Sequence, residues 1–261
     1  MAHLRPFIPA LMIAAGLSAP VWAGEVACRF EDGVIVVPAE VAGIAGDYIL
    51  DTGSAQTTLH ETKAQTEGIE ATELVGRVRL AGAEIEDQAL KVADLDVRTW
   101  NLPSAVIGLI GADVLKGFVV DVAFAPCKVR LSHPGAAPPF RGRALALDRD
   151  TGRPTATASV SDDRHVVTGA FVIATGSSAP VRLADDLAQT NVGTPQELYP
   201  QGLWFARLPQ VTFAGRTGRD VAAGLMKPEG DVVGILGGPV LARFRLRFDF
   251  PAGRLIVAPA R

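Results

Sequence analysis

Cysteine is almost absent from this sequence: Cys28 and Cys127 are the only two in 261 residues, and no Cys-x-x-Cys occurs. That excludes a thiolate zinc centre and a dithiol redox motif. The four histidines, His3, His60, His133 and His165, are scattered without metal-ligand spacing, so no metal is expected. Charged residues make up 20% and the net charge is −3, which leaves no basic surface for nucleic acid. Gly-x-Ser-x-Gly, a phosphate loop and a dinucleotide fingerprint are all missing, and no cofactor is expected. Long apolar runs are missing too; the longest, from Phe7 to Pro20, is too short and too interrupted by proline to span a bilayer comfortably.

What is present is turn chemistry and short runs of Val, Ile and Leu. With 27 Gly, 18 Pro and 48% hydrophobic residues, the sequence reads as folded and mostly β. Residues 1–23 read as a signal peptide, with Arg5 as the positive start and Val21-Trp22-Ala23 as the cleavage site. The mature protein is therefore expected in the periplasm or secreted, with an uncleaved anchor as the alternative. In such a compartment Cys28 and Cys127 are expected to form one disulfide; the alternative is two separate buried thiols. Strands are expected at Val34–Val37, Tyr48–Leu50, Gly76–Leu80, Gln88–Ala93, Val106–Leu109 and Phe118–Val122, and helices at Glu61–Glu67 and Ala112–Lys116. Residues 132–154, rich in Pro and Gly, read as a linker with one short strand near Ala144–Leu147. Arg243, Arg245 and Arg247 alternate along a strand and read as its solvated face, and Asp113 and Asp121 as capping and surface charge.

Two stretches carry chemistry. In Tyr48-Ile49-Leu50-Asp51-Thr52-Gly53-Ser54 a single acid follows an apolar strand, where burying it alone would cost several kcal/mol. In Val106-Ile107-Gly108-Leu109-Ile110-Gly111 a hydrophobic-hydrophobic-Gly strand leads into a short helix. Both recur in order. Ala170 to Ser178 repeats Asp47 to Ala55 at an offset of 123, Val211 to Gly215 repeats Val78 to Gly82 at 133, and Val232 to Gly237 repeats Val106 to Gly111 at 126.

With this pairing of Asp-Thr-Gly and a later hydrophobic-hydrophobic-Gly element, the sequence resembles the aspartic protease superfamily, both retropepsin-like and pepsin-like. The resemblance implies an all-β protein of two tandem retropepsin-like β-barrel lobes with short helices, a bilobal acid protease fold. The lobes would span 24–131 and 155–261, joined by the 132–154 linker. It further implies a catalytic role for Asp51, supported by Thr52, Gly53 and Ser54, with Thr175, Gly176 and Ser177 as the second loop. Thr52 and Thr175 would bond across the lobes, and Ser54 would hold the outer oxygen of the acid. The second acid is missing: Ala174 stands in its place. Two facing carboxylates that share a proton are what the family's chemistry needs, since one must act as base while the other donates.

Three readings follow. The protein is a pseudoprotease that binds an extended peptide or protein segment without cutting it; or a homodimer supplies an Asp51/Asp51 dyad in trans, giving an active endopeptidase; or Ala174 is an introduced inactivating change. A fourth, non-enzymatic role is an envelope scaffold recognising a partner's extended tail. Between the second signature glycine and the following strand the second lobe is longer than the first. Its extra residues include Tyr199, Trp204 and Phe205, a candidate flap over the cleft.

Overall fold

The computed structural model describes residues 24–148, 152–161, 163, 165–184, 196–198, 203–227 and 230–260. The candidate signal peptide, residues 1–23, lies outside the described residues, as does Tyr199.

The first half runs β1 (Glu25–Ala27), β2 (Arg29–Glu31), β3 (Val34–Val41), β4 (Ile44–Leu50), β5 (Thr58–His60), α1 (Glu61–Thr66), β6 (Glu73–Leu80) and β7 (Ala83–Ala93). It continues with α2 (Asp96–Thr99), β8 (Val106–Ile110), α3 (Ala112–Leu115), β9 (Val119–Phe124) and β10 (Cys127–Ser132). After β11 (Arg143–Ala146) the second half runs β12 (Thr155–Ser161), β13 (Val166–Ala174), β14 (Val181–Ala184), β15 (Gln196–Leu198), β16 (Leu203–Phe213) and β17 (Arg216–Met226). It ends with β18 (Val232–Gly237), α4 (Gly238–Leu241), β19 (Phe244–Asp249) and β20 (Arg254–Pro259).

Each half closes on itself as a six-stranded barrel. The first has the order β3-β4-β8-β5-β7-β6, with β6 returning to β3; the second has β12-β13-β18-β14-β17-β16, with β16 returning to β12. The two orders are the same topology written twice, down to the irregularities. A register shift sits at Asp47/Tyr48 in the β4–β8 pairing and at the equivalent Ala170/Phe171 in β13–β18. Positive φ falls on Ala81-Gly82 in one hairpin and on Ala214-Gly215 in the other, the backbone that tight two-residue hairpins require. The motif glycines are explained by crowding: a Cβ on Gly108 would strike the Thr58 carbonyl, and one on Gly234 the Arg182 carbonyl.

A third sheet, β1-β10-β9-β19-β20-β11, joins the lobes. β11 pairs with β20 from Arg143 to Ala146, so the expected linker contributes a strand to this sheet. Cys28 and Cys127 form a disulfide, tying the start of the first barrel to β10. By loop closure a crosslink over a separation of 99 residues contributes at most ~4–5 kcal/mol.

At the centre of the third sheet β9 runs antiparallel to β19, with Asp121 opposite Arg247. These two residues are equivalents in the duplication, so this pair lies on the axis relating the lobes. Here the structure corrects two sequence expectations. Arg247 is buried, not solvated, and Asp121 is its partner: Nε and Nη2 donate to the two carboxylate oxygens at 2.5 and 2.7 Å. The Phe140 ring from the 132–154 segment lies 4.8 Å from the guanidinium carbon. Strand alternation puts Arg247 beside Arg243 and Arg245, but this part of the strand is covered by the segment that follows the first lobe. Asp113 is likewise more than a surface charge. It accepts from Thr57 N and Oγ1 at 2.9 and 2.7 Å and from Gln88 Nε2 at 3.0 Å, fixing the backbone that leaves the signature loop.

Removing one member of a shielded ion pair strands the other charge. Arg247→Ala is expected to cost about 3 kcal/mol in urea unfolding, while the swap Asp121→Arg with Arg247→Asp recovers more than half of that loss. Equal stability of Arg247→Ala and wild type would show that the pair contributes nothing.

Candidate functional site

The two signature loops leave β4 and β13 and meet between the barrels. Thr52 and Thr175 are fully buried and crosswise bonded. Thr52 Oγ1 donates to the Ile173 carbonyl at 2.5 Å, and Thr175 Oγ1 donates to the Leu50 carbonyl at 2.6 Å. Each hydroxyl also accepts from the opposite backbone: Thr52 N to Thr175 Oγ1 at 3.1 Å and Thr175 N to Thr52 Oγ1 at 3.2 Å. Four hydrogen bonds thus saturate two buried hydroxyls and set the loops at contact distance.

That contact decides what lies opposite what. A Cβ on Gly53 would collide with the Ala174 methyl, and one on Gly176 would fall 2.5 Å from the Asp51 Cβ. Asp51 and Ala174 therefore occupy equivalent places on facing loops of one polypeptide. The loops match elsewhere as well: Ser54 Oγ donates to the Gln56 carbonyl at 3.1 Å, and Ser177 Oγ to the Ala179 carbonyl at 3.3 Å. Two closed barrels, a joining sheet, and Asp-Thr-Gly facing Ala-Thr-Gly are now in place.

The fold is that of a bilobal aspartic proteinase. In a comparison with solved structures, this protein is similar to the aspartic proteinase from Irpex lacteus. The TM-score is 0.54 and the identity 14%, covering 91% of this protein and 97% of that one. No protein-family profile matches the sequence, and no curated protein matches it.

Within this fold the acid is held by an arginine. Asp51 is 3% exposed. Its Oδ1 accepts from Gly53 N at 2.8 Å and from Gly176 N, across the lobes, at 3.2 Å. Its Oδ2 is held by Arg98 Nη2 at 2.6 Å, and the same nitrogen donates to the Gly176 carbonyl at 2.7 Å. Arg98 therefore bridges the acid of one lobe to the signature glycine of the other. The Ser54 hydroxyl, expected on the outer oxygen, points to Gln56 instead, and the guanidinium takes that place.

No sequence motif singles out Arg98, since Asp94-Leu95-Asp96-Val97-Arg98 matches none. The available signal is physical: a buried carboxylate needs a cation or several donors. Local structure aims the arginine. Asp94 Oδ1 accepts from Asp96 N at 2.7 Å, Thr99 Oγ1 donates to the Leu95 carbonyl at 3.0 Å, and Leu95 is buried beneath the turn. His60 Nε2 lies 3.0 Å from Asp96 Oδ1 and pins α2 to the end of β5. His60, Asp94 and Asp96 thus come within reach of one another, a grouping invisible in the sequence spacing, though both acids are exposed.

The cleft over Asp51 encloses about 600 Å³. Val34, Val97 and Ile235 give it apolar wall; Arg98, Arg153 and Arg182 give it charge. Burial, and after it the nearby Arg98, push the Arg182 guanidinium below its ordinary value, and Asp51 pulls it partly back. Of the candidate flap, Trp204 and Phe205 lie on β16, opposite Glu197 and Gln196 of β15.

Substituting Thr52→Val removes two of the four crossed bonds. It is expected to lower stability by about 2–3 kcal/mol, as is Thr175→Val, with the double variant losing less than the sum because the bonds are shared. Chemical denaturation of the four proteins checks this; strict additivity would contradict a coupled lattice.

Proposed function

We propose that this protein is an exported peptide-binding pseudoprotease. Its interlobe cleft takes an extended peptide or protein segment and leaves it uncut. The observation that carries the reading is the state of the acid: Asp51 faces a methyl group, and its outer oxygen is occupied by Arg98. Acid proteolysis needs one carboxylate to take a proton from water while another gives one to the carbonyl oxygen. A lone carboxylate whose outer oxygen is held by a guanidinium has no second carboxylate with which to divide these two duties. The cleft itself remains, with room and apolar wall for peptide side chains. The disulfide suits an oxidising compartment, and among the described residues no helix is long and apolar enough to cross a membrane.

An Asp51/Asp51 dyad in a homodimer is disfavoured by the pair on the lobe axis. Two first lobes arranged like the two lobes here would set Asp121 against a second Asp121, replacing an ion pair by like-charge contact in a shielded place. The third sheet also already occupies that face with β19.

An introduced change at Ala174 is separable by experiment. With an unfolded protein substrate between about pH 3 and 7, wild type is expected to bind without cleaving. Ala174→Asp alone is expected to stay inactive, because Arg98 still neutralises the pair. Ala174→Asp with Arg98→Ala is expected to gain cleavage that Asp51→Asn abolishes. Turnover by wild type, proportional to the square of its concentration, would favour the homodimer and defeat this reading. Full turnover by Ala174→Asp alone would show that the rest of the machinery is intact and the arginine no obstacle.

A further inference from the structure

We infer that the cleft is a carboxylate-recognition site, with Arg182 as its free anion receptor and Arg98 beside it. The inference rests on the peptide-binding reading and deepens it: the bound segment carries its own carboxylate, either at its C-terminus or on an Asp or Glu side chain.

The argument begins with charge. The protein as a whole carries −3, yet Arg98 and Arg182 both line this cleft beside Asp51, its one carboxylate among the described residues. Arg98 satisfies Asp51 through a single nitrogen, Nη2, and its Nε and Nη1 make no hydrogen bond among the described residues. Arg182 stands on β14, fixed on both sides by β17 and β18. Its side chain has neither an ion pair nor a hydrogen bond to any described residue, although it is partly buried and close enough to Arg98 to be repelled by it. A proteinase-type cleft that had only to hold an uncharged backbone would gain nothing from a second guanidinium there.

A planar carboxylate removes the conflict. It accepts two parallel N–H bonds from one guanidinium, its charge offsets the repulsion between Arg98 and Arg182, and its geometry matches the arginine fork better than a lysine's point charge would. Asp51 is bonded to Arg98 and reaches Arg182 only at longer range. Since Ala174 has no carboxylate, the ligand supplies the acid that the second lobe lacks, though as a bound group and without catalytic duty. Val97 and Ile235 flank the charged floor and would carry the neighbouring aliphatic part of the ligand.

The test uses calorimetric titration of the mature protein with four decapeptides of otherwise uncharged sequence. One pair differs only in a free or amidated C-terminus, the other, both amidated, in an internal Glu or Gln. The carboxylate-bearing member of at least one pair is expected to bind about ten-fold or more tightly than its neutral twin. Whichever pair shows the gain identifies the source. Arg182→Gln is expected to erase the gain, so that each acidic peptide and its neutral twin bind the variant alike, and Arg182→Lys to keep part of it. Ala55→Asp, which places a negative charge at an exposed position of the same cleft, is expected to reduce it as well. Neutral and acidic peptides binding alike, or a gain that survives Arg182→Gln, would overturn the inference and leave peptide binding standing. Failure of all four peptides to bind would overturn both.

Discussion

Everything in this molecule depends on two threonines that reach across the gap between the barrels. Because Thr52 and Thr175 each give a proton to the opposite strand end and accept one from the opposite amide, the two loops cannot drift apart without stranding buried polar groups. The lattice is blind to catalysis. It needs hydroxyls and glycine-sized turns, and it keeps the residues at 51 and 174 face to face whether or not both are acids. This accounts for a second loop that preserves Thr175, Gly176 and Ser177 around an alanine.

The duplication is close in backbone and broken in charge. Strand order, register shifts, positive-φ turns and crowded glycines all repeat. The acids do not: Asp51 answers to Ala174, and Asp121 to Arg247. Both asymmetries act at the axis, and both favour one fused polypeptide over two identical partners. At the third sheet an aspartate meets an arginine where a symmetric dimer would have like charges. At the cleft the single acid leans on both signature glycine amides and on Arg98, using donors that two carboxylates would have divided between them.

Much of the architecture was legible in the sequence. The two signature stretches, the three ordered repeats and the paired cysteines carry information along the polypeptide; short apolar runs located five of the six strands of the first barrel, missing β5, and the repeats located β13, β18 and the end of β16 in the second. What escaped was set by contacts between distant segments. Arg98 sits in a short turn without a motif and becomes meaningful only when α2 brings it over Asp51. Arg247 follows the same alternation as Arg243, and only the covering Phe140 and the opposing β9 make it internal. The Ser54 hydroxyl could reach either an acid or its own turn, and local geometry took it to Gln56. The short strand expected near Ala144–Leu147 is β11, but its pairing with β20 in the sheet that joins the lobes was not visible in the linker's composition.

The central claim is that the cleft has one carboxylate among the described residues, held by an arginine, where proteolysis needs a proton-sharing pair. A proton-sharing pair grips the tetrahedral hydroxyl of a transition-state mimic far more strongly than the ground-state peptide. The most direct measurement is therefore calorimetric titration with a peptide bearing a central tetrahedral hydroxyl, and with its deoxy twin. The account predicts equal affinities, within about two-fold. A gain of about a hundred-fold from the hydroxyl would reveal a working dyad and contradict it.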